Sequence, residues 1–371
     1  MKNFLILFSV IILASCNKMD HYEIIGTIKN VPDNTIINLF EISDNVGSLV
    51  ASDTIINGQF NFRGTLSNRP SQMNLLAADR LNFAGSCDIW VDYTKVKISG
   101  SGNFLSTWNV SSKLTEQHAM NLFAEKTKDQ MRKVDSLSLA RMADERNRDL
   151  KISIMTEINS ISKTILSSEF KILQNNFNSL TALKKLYQIA KFGSIDKKEI
   201  SIVFNKMDDK YKNTLLGEGI LAELNKPVPP KIGDKMIDLN LHDQDGKQYK
   251  LSDFSGKYIL LDFWSLACYP CILAAPELRE INETYKTVLN IIGLSMDVNL
   301  KMWKDATKRD SVTWINLSDG KGTYAGAPVL YGINGFPTYI LINPGDTIIE
   351  RWEGFSNGMF SEKLKPYLTI K

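Results

Sequence analysis

The chain has 371 residues, of which 43% are hydrophobic and 23% are charged, and this composition is typical of folded rather than disordered proteins. Its 44 basic and 41 acidic residues leave a formal net charge of +3 and are mixed along the whole chain. The composition therefore excludes a disordered chain and gives no reason to expect a nucleic-acid partner, while the length allows two or three domains.

The first residues have the pattern of an export signal. Lys2 precedes an apolar run from Phe4 to Leu13 that is too short to span a bilayer. The run ends in Leu13-Ala14-Ser15-Cys16, which resembles the lipobox of bacterial lipoproteins, where the chain is cut before a cysteine that is then acylated. The resemblance implies a signal peptide over residues 1–15, a lipid anchor on Cys16 and a location facing the periplasm. The alternative is a plain secretory signal, which also predicts export.

Residues 16–104 are predicted to form a small all-β domain. Apolar residues alternate over short stretches, for example around Ile24 and Phe60, and Pro32-Asp33-Asn34 and Asn57-Gly58 are turn signals, the second at hairpin spacing. The pattern is similar to a small β-domain of unknown function that often precedes exported thioredoxin-like domains. This likeness brings no catalytic residue with it.

Residues 105–226 are predicted to form an α-helical segment. The segment contains no proline, and its isoleucines at 154, 158, 161 and 165 have helical spacing. Gly193 is a stop signal, and Asp196 with Glu199 indicates a capping box that opens the next helix. Such apolar stripes usually form a structural face, so we expect no cofactor there.

Pro227, Pro229 and Pro230 mark the start of a compact α/β domain over residues 227–371. Its predicted strands are Lys235 to Leu241, Lys247 to Leu251, Tyr258 to Trp264, Val288 to Met296, Thr338 to Ile342 and Thr347 to Arg351. Its predicted helices are Ile272 to Tyr285, Leu300 to Lys308 and Phe360 to Tyr367. The continuous apolar run from Tyr258 to Trp264 is typical of a strand buried on both faces, so it should be the centre of the sheet.

The chain has four cysteines, which excludes a scaffold stapled by disulfides. Cys16 is assigned to the lipid. Cys87 shares its alternation with Ile89 and Val91, so we expect a buried apolar role for it and no redox role. The remaining pair, Cys268 and Cys271, needs a mechanism of its own.

Cys268 follows the central strand after the three residues Ser265-Leu266-Ala267 and precedes a helix, which places it at the helix N-terminus. The unpaired amides of the first turn and the helix dipole favour a negative charge there and lower a thiol pKa from ~8.5. We therefore expect Cys268 to be the attacking thiolate. Cys271, one turn further on, lies within disulfide reach and would resolve a mixed disulfide.

Two cysteines separated by two residues can also attach haem or bind zinc, but the rest of this chain argues against both. Covalent haem attachment needs a histidine where Ile272 stands, and a structural zinc site needs four ligands that the scattered histidines and Cys87 do not provide. A peroxiredoxin would place proline and threonine just upstream of its cysteine, and this chain has neither residue between Tyr258 and Cys268. A hydrolase would need a histidine base in this domain, and none is plausible. We expect no metal, and no cofactor other than the redox-active pair.

The motifs around this pair match thioredoxin position by position. They comprise Asp262-Phe263-Trp264, then the cysteine pair, then Pro276, and late in the domain Gly335-Phe336-Pro337-Thr338. With the lead-in at Asp245-Gly246-Lys247, the chain resembles the exported TlpA/ResA-like branch of thioredoxin-family thiol-disulfide oxidoreductases, in the AhpC/TSA-thioredoxin superfamily. The resemblance covers about Ile232 to Leu368, and it implies a thioredoxin-like α/β fold.

The resemblance also implies roles for single residues. Pro337 would follow a cis peptide bond, so that Phe336 can pair with an extended substrate segment. Asp262 would accept the proton of the resolving cysteine, and an acid in an apolar strand should have a raised pKa. Trp264 would pack under the site. The side chains expected to contact substrate are Trp264, Tyr269, Pro270, Phe336 and Pro337.

Three departures from the family limit the prediction. Tyr269 stands between the cysteines, where the family commonly has glycine or glutamate. Ala267 stands where tryptophan usually precedes the first cysteine, and Ala274 stands where reductases of the ResA type keep a glutamate. Exchange on exported protein thiols and disulfides, with a possible membrane electron donor, is nevertheless the leading hypothesis. The alternative is a lipid-anchored binding module whose disulfide is vestigial or structural.

Overall fold

The computed structural model describes residues 20–43, 46–143 and 146–368, and it divides into two compact units. The first lies within Met1–Ile42, Gly47–Asn121 and Met131–Arg146, and the second takes in the remainder. The predicted signal peptide and Cys16 lie outside the described residues. Among the described helices, none has both the length and the apolar composition needed to cross a membrane.

The first unit is built from two four-stranded sheets. Its strands are β1 Tyr22–Lys29, β2 Ile36–Ser43, β3 Val46–Thr54, β4 Gln59–Gly64, β5 Ser71–Ala77, β6 Cys87–Val91, β7 Lys95–Ser101 and β8 Asn109–Ser111. The sheets have the orders β4-β1-β7-β8 and β3-β2-β5-β6. Alternate residues of both sheets, such as Ile24 and Leu39, meet in one hydrophobic core, which confirms the predicted all-β character.

The turn at Asn57-Gly58 forms as predicted, but its flanking strands do not pair as a hairpin. Both residues have positive φ angles, and Ile56 and Gln59 exchange backbone hydrogen bonds across the turn. β3 then pairs within one sheet and β4 within the other, where β4 is antiparallel to β1. The position of the turn was therefore predicted correctly. The flanking strands pair with other strands, because burial in the common core sets their partners.

The predicted helical segment begins with residues that are not α-helical. Leu105–Thr107 form a 3-10 turn, and β8 pairs antiparallel with β7. Trp108 and Val110 are buried in the core of the first unit. Apolar burial against the sheet therefore extends the β-structure past residue 104, the predicted end of the β-domain.

Helices occupy most of the chain from Thr115 to Leu224, as predicted. They are α1 Thr115–Ala143, α2 Arg148–Leu173, α3 Leu180–Phe192, α4 Lys197–Lys206, α5 Asp209–Lys212 and α6 Leu215–Leu224. Gly193 ends α3, and the Asp196 carboxylate caps α4 by accepting from the Lys198 amide. The core of this helical region also includes Tyr324, which lies edge-on to Tyr187 with ring centroids 5.3 Å apart.

The C-terminal part of the second unit is a thioredoxin-like α/β domain. Its strands are β9 Asn240–His242, β10 Gln248–Lys250, β11 Tyr258–Trp264, β12 Leu289–Ser295, β13 Ile315–Leu317, β14 Thr338–Ile342 and β15 Ile348–Glu353. Its helices are α7 Tyr269–Tyr285, α8 Leu300–Arg309, α9 Ala327–Leu330 and α10 Met359–Leu364. β9 and β10 pair as a small separate sheet, so the strand predicted from Lys235 is formed only at its end.

The central sheet has the order β13-β12-β11-β14-β15, with β11 in the middle as predicted. β11 runs parallel to β12 and antiparallel to β14. Leu261 and Phe263 point into one apolar core, whereas Leu260 points into another that contains Ala274 and Leu278 of α7. Because both faces are covered, the sheet holds the residues after β11 in a fixed position at the start of α7.

Candidate active site

The two cysteines predicted to react lie together at the N-terminus of α7 and are joined by a disulfide, with Cα atoms 5.2 Å apart. Cys268 is the N-cap residue, and the Cys271 amide lies 3.2 Å from its Sγ. Cys268 is 8% exposed and Cys271 is 6% exposed. The first turn of the helix therefore directs the Cys271 amide at the sulfur of Cys268, an arrangement that favours a thiolate once the disulfide is reduced.

The loop between β11 and α7 is held at Leu266 by two charged side chains. The Leu266 amide donates to both carboxylate oxygens of Asp297, at 3.2 and 2.9 Å. Its carbonyl accepts from Arg309 Nη1 at 2.9 Å. Arg309 in turn donates to both oxygens of the buried Asp310, at 2.7 and 2.8 Å. The peptide two residues before Cys268 is thus fixed from both sides, although Ala267 leaves out the bulky residue usual in the family.

Asp262 lies buried in the middle of β11, and its Oδ1 has no hydrogen-bond partner. Burial raises the pKa of Asp262 to about 7, and the negative charge of Asp310 acts in the same direction. The raised pKa that the sequence predicts for Asp262 is therefore found. A carboxyl group with this pKa can accept and return a proton near neutral pH.

Apolar side chains surround the dithiol. Trp264 is buried in one cluster with both cysteines, which confirms that it packs under the site. Phe336 is half-buried and packs against the same cluster, and the peptide bond between Phe336 and Pro337 is cis, as the resemblance implied. Tyr269 is 67% exposed, beside the disulfide. The structure thus brings Trp264 and Phe336 together with the two cysteines, while the contacts of the predicted site residues with substrate stay predictions.

Sequence reasoning missed several residues of this site. Trp303 of α8 belongs to the cluster with the two cysteines, and its indole Nε1 donates to Asn316 Oδ1 at 2.6 Å. Asp297 and Arg309 hold the loop, as described above. No local pattern marks these residues, because all three are far from the dithiol in sequence and reach the site only through the pairing of strands and the packing of α8.

The C-terminal domain is similar to known proteins. Residues 232–351 match the model of the AhpC/TSA family. The thiol-disulfide oxidoreductase ResA of Bacillus cereus (strain ATCC 10987 / NRS 248) is 28% identical over 147 residues, which are 39% of this chain and 80% of that protein. The thioredoxin-like protein YneN of Bacillus subtilis (strain 168) is 28% identical over 124 residues, 32% of this chain and 71% of that protein.

Solved structures show a similar likeness. A thiol-disulfide oxidoreductase from Bacteroides fragilis NCTC 9343 is 29% identical, with a TM-score of 0.34, and the match covers 36% of this chain and all (100%) of that chain. The thioredoxin domain of a thiol-disulfide oxidoreductase from Bacteroides vulgatus is 27% identical, with a TM-score of 0.35 over 38% of this chain and 99% of that chain.

The matches fall on the segment that carries the dithiol, the buried acid and the cis-proline. The AhpC/TSA match over residues 232–351 includes Asp262, Cys268, Cys271 and Pro337. Residues 232–351 of this chain are therefore similar to the AhpC/TSA family, and the chain is similar to thiol-disulfide oxidoreductases of the ResA type.

Proposed function

We propose that this protein is an exported, lipid-anchored thiol-disulfide oxidoreductase that reduces or isomerises disulfides of other exported proteins, and so contributes to redox homeostasis of the cell envelope. The observation that carries the proposal is the disulfide at the N-terminus of α7, with Cys268 as N-cap and the buried Asp262 on the preceding strand. The named activity of the ResA relatives supports it.

The first step uses the reduced form of the chain. The Cys268 thiolate attacks one sulfur of a substrate disulfide, a bond forms between Cys268 Sγ and that sulfur, and the substrate S–S bond breaks. The second substrate sulfur leaves with the electron pair and takes up a proton. The Cys271 amide and the dipole of α7 favour the starting thiolate. The adjoining face of Tyr269, Phe336 and Pro337 is where an extended substrate segment would lie.

The second step releases the substrate. Asp262, as a carboxylate, takes the proton of the Cys271 thiol, and the Cys271 sulfur attacks Cys268 Sγ. The mixed disulfide breaks, the substrate leaves as a thiolate, and the disulfide between Cys268 and Cys271 forms. The substrate has gained two electrons and the chain has lost two. A dithiol donor in the membrane would restore the reduced form; the redox group is the cysteine pair itself, with no added cofactor.

Export and anchoring rest on the sequence before the described residues. The apolar run and the residues Leu13 to Cys16 fit a lipoprotein signal, and an exported location gives the dithiol oxidised partners to act upon. Lipid on Cys16 would hold the domain near a membrane electron donor. Radioactive palmitate labelling of the wild type, and its loss in Cys16→Ser, would test the anchor.

Trapping of mixed disulfides tests the assigned order of the two cysteines. In Cys271→Ser the first step proceeds and the second cannot, so covalent adducts with envelope proteins should accumulate on non-reducing gels. Cys268→Ser should give none, because it lacks the attacking sulfur. Cys87→Ser serves as the matched control and should trap no more than the wild type does. Equal trapping by Cys268→Ser and Cys271→Ser would refute the order.

A second candidate is a binding module whose disulfide is only structural. The observation in its favour is the low exposure of both sulfurs, 8% for Cys268 and 6% for Cys271. The reduction potential separates the two candidates: a structural bridge should lie below about −300 mV, whereas an exchanging dithiol should lie nearer the value of thioredoxin, about −270 mV, or above it.

A further inference from the structure

The strand neighbours of Asp262 leave an opening in the row of side chains on this buried face of the sheet, at Gly293. Asp262 on β11 pairs with Gly293 on β12, and Gly293 pairs with Asn316 on β13. All three lie at one level and on one face. Because Gly293 has no side chain, nothing on β12 separates the side chain of Asp262 from that of Asn316.

Two donors occupy the space above Gly293. A Cβ atom on this glycine would lie 2.5 Å from Asn316 Nδ2 and 3.1 Å from Trp314 Nε1. The amide and the indole therefore reach over β12 in the direction of β11, where Asp262 stands. Glycine is required here for the close approach and not for its backbone angle.

These three groups have unmet hydrogen-bonding capacity. Asp262 Oδ1, Asn316 Nδ2 and Trp314 Nε1 are all buried and without a hydrogen-bond partner. Leaving a buried polar group unpaired costs about 1–3 kcal/mol, so such groups are normally paired with each other or with a bound water. One acceptor and two donors around a single opening are the set that one buried water satisfies.

Trp303 fixes which end of the Asn316 amide faces this opening. Its indole donates to Asn316 Oδ1 at 2.6 Å, and since an indole can only donate, Oδ1 must point toward Trp303. Nδ2 is then directed over Gly293. Trp303 also packs with Cys268 and Cys271, so it connects the dithiol to the group that faces Asp262.

We propose that a water bound between Asp262 and the two donors above Gly293 joins Asn316 and Trp314 to Asp262, and that Asn316 is a positioning residue that holds Asp262 ready to accept a proton. This inference rests on the proposed function, in which Asp262 takes the proton of Cys271. The amide and the indole donate to the two lone pairs of the water, so both of its hydrogens remain free. One of them is donated to Asp262 Oδ1, which stabilises the carboxylate against the effect of burial.

Other charged groups act on Asp262 from the elements packed around it. Asp310 follows α8 and is paired with Arg309, Tyr339 lies opposite on β14, and α7 carries Cys271 and Glu277. Substitution of Asn316 leaves all of these side chains in place. The change in the pKa of Asp262 that follows the substitution therefore measures the contribution of the Asn316 amide.

The test is a titration of the Asp262 carboxyl carbon by NMR, in full chain labelled with 13C-aspartate and assigned through Asp262→Asn. Asn316→Leu removes the donor at similar volume, and it should raise the pKa of Asp262 by about one unit, a tenfold change in its ionisation equilibrium. Trp303→Phe keeps an aromatic ring but frees the amide, and it should move the titration in the same direction by less.

Asn290→Leu is the matched control. Asn290 lies on β12 and donates an amide hydrogen bond to the Phe254 carbonyl at 3.2 Å, on the other side of the sheet from Asp262. It should leave the Asp262 titration unchanged. An unmoved titration in folded Asn316→Leu overturns the proposal, and if that variant does not fold, an unmoved titration in Trp303→Phe does so. Failure of the wild type to exchange disulfides would refute the proposed function without affecting this titration.

Discussion

Cysteine occurs in both units of this protein with almost equal exposure, 3% for Cys87 and 8% for Cys268. Cys87 lies on β6 in the apolar core of the first unit, where burial, aided by the charge of Asp88, raises the pKa of its thiol. Cys268 lies at the N-terminus of α7 and is bonded to Cys271. In the proposed function, a neighbouring backbone amide and the helix dipole, rather than solvent exposure, distinguish the attacking cysteine from the inert one.

Buried polar atoms distinguish the same two regions. Among the described residues of the first unit, Asn74 Oδ1 is the one buried side-chain atom found without a hydrogen-bond partner. The others among the described residues lie on the central sheet of the C-terminal domain or, for Trp314, just before β13: Asp262 Oδ1, Trp264 Nε1, Trp314 Nε1, Asn316 Nδ2, Tyr339 OH and Trp352 Nε1. Buried polar groups without a protein partner are therefore concentrated in the domain that carries the dithiol, and Trp264 packs directly with the two cysteines.

The largest expected effect is a difference in activity between variants of Cys268 and Cys87. Cys268→Ala should lower the rate of insulin disulfide reduction by about 10³-fold or more, to the level of dithiothreitol alone, because the nucleophile is absent. Cys87→Ala should leave the rate unchanged. A folded Cys268→Ala variant with residual exchange, or a folded Cys87→Ala variant without it, would contradict the comparison.

The next effect concerns the pH dependence of stability at Asp262. Burial raises the pKa of Asp262 to about 7 in the native chain, whereas an unfolded aspartate ionises near ~4. The unfolded chain therefore loses this proton first, and the contribution of Asp262 to stability falls as pH rises from about 4 to about 7. Asp262→Asn cannot ionise, so it should be more stable than the wild type above about pH 8, by up to about 4 kcal/mol.

Urea unfolding followed by tryptophan fluorescence, at about pH 5 and about pH 8.5, checks this expectation. The stability difference between Asp262→Asn and the wild type should grow with pH, and both proteins should be compared in the oxidised form. A difference that stays constant between the two pH values would show that Asp262 does not titrate in this window. The stabilised variant should at the same time exchange disulfides more slowly, because the proton acceptor is lost.

The smallest effect sharpens the account of Cys87. Cys87→Ser places a hydroxyl in the apolar core and should lower the free energy of unfolding of the first unit by about 1–3 kcal/mol. Cys87→Ala introduces no polar group and is the matched control, with a smaller loss expected. Thermal unfolding followed by circular dichroism measures both. Native Cys87 should also resist iodoacetamide until the unit unfolds, and rapid labelling of the folded protein would show that it is not buried.

Much of the C-terminal domain could be predicted from local pattern. The bounds of β11 and β14 agree with the predicted Tyr258 to Trp264 and Thr338 to Ile342, because a strand buried on both faces is a continuous apolar run. The dithiol, the acid and the cis-proline loop were all found, since the motifs around them are contiguous in sequence. β13 could not be predicted, because three residues are too few to show the alternation of apolar and polar residues that marks a strand.

The sequence by itself determined the secondary structure near the dithiol, the place of Cys268 at a helix N-terminus and the apolar role of Cys87, because each depends on residues that are adjacent in the chain. The tertiary structure alone decided which strands flank the turn at Asn57-Gly58, which side chains hold Leu266, and that Asn316 faces Asp262 across Gly293. Those contacts join segments far apart in sequence, and their geometry depends on strand order and helix packing, for which no short pattern exists.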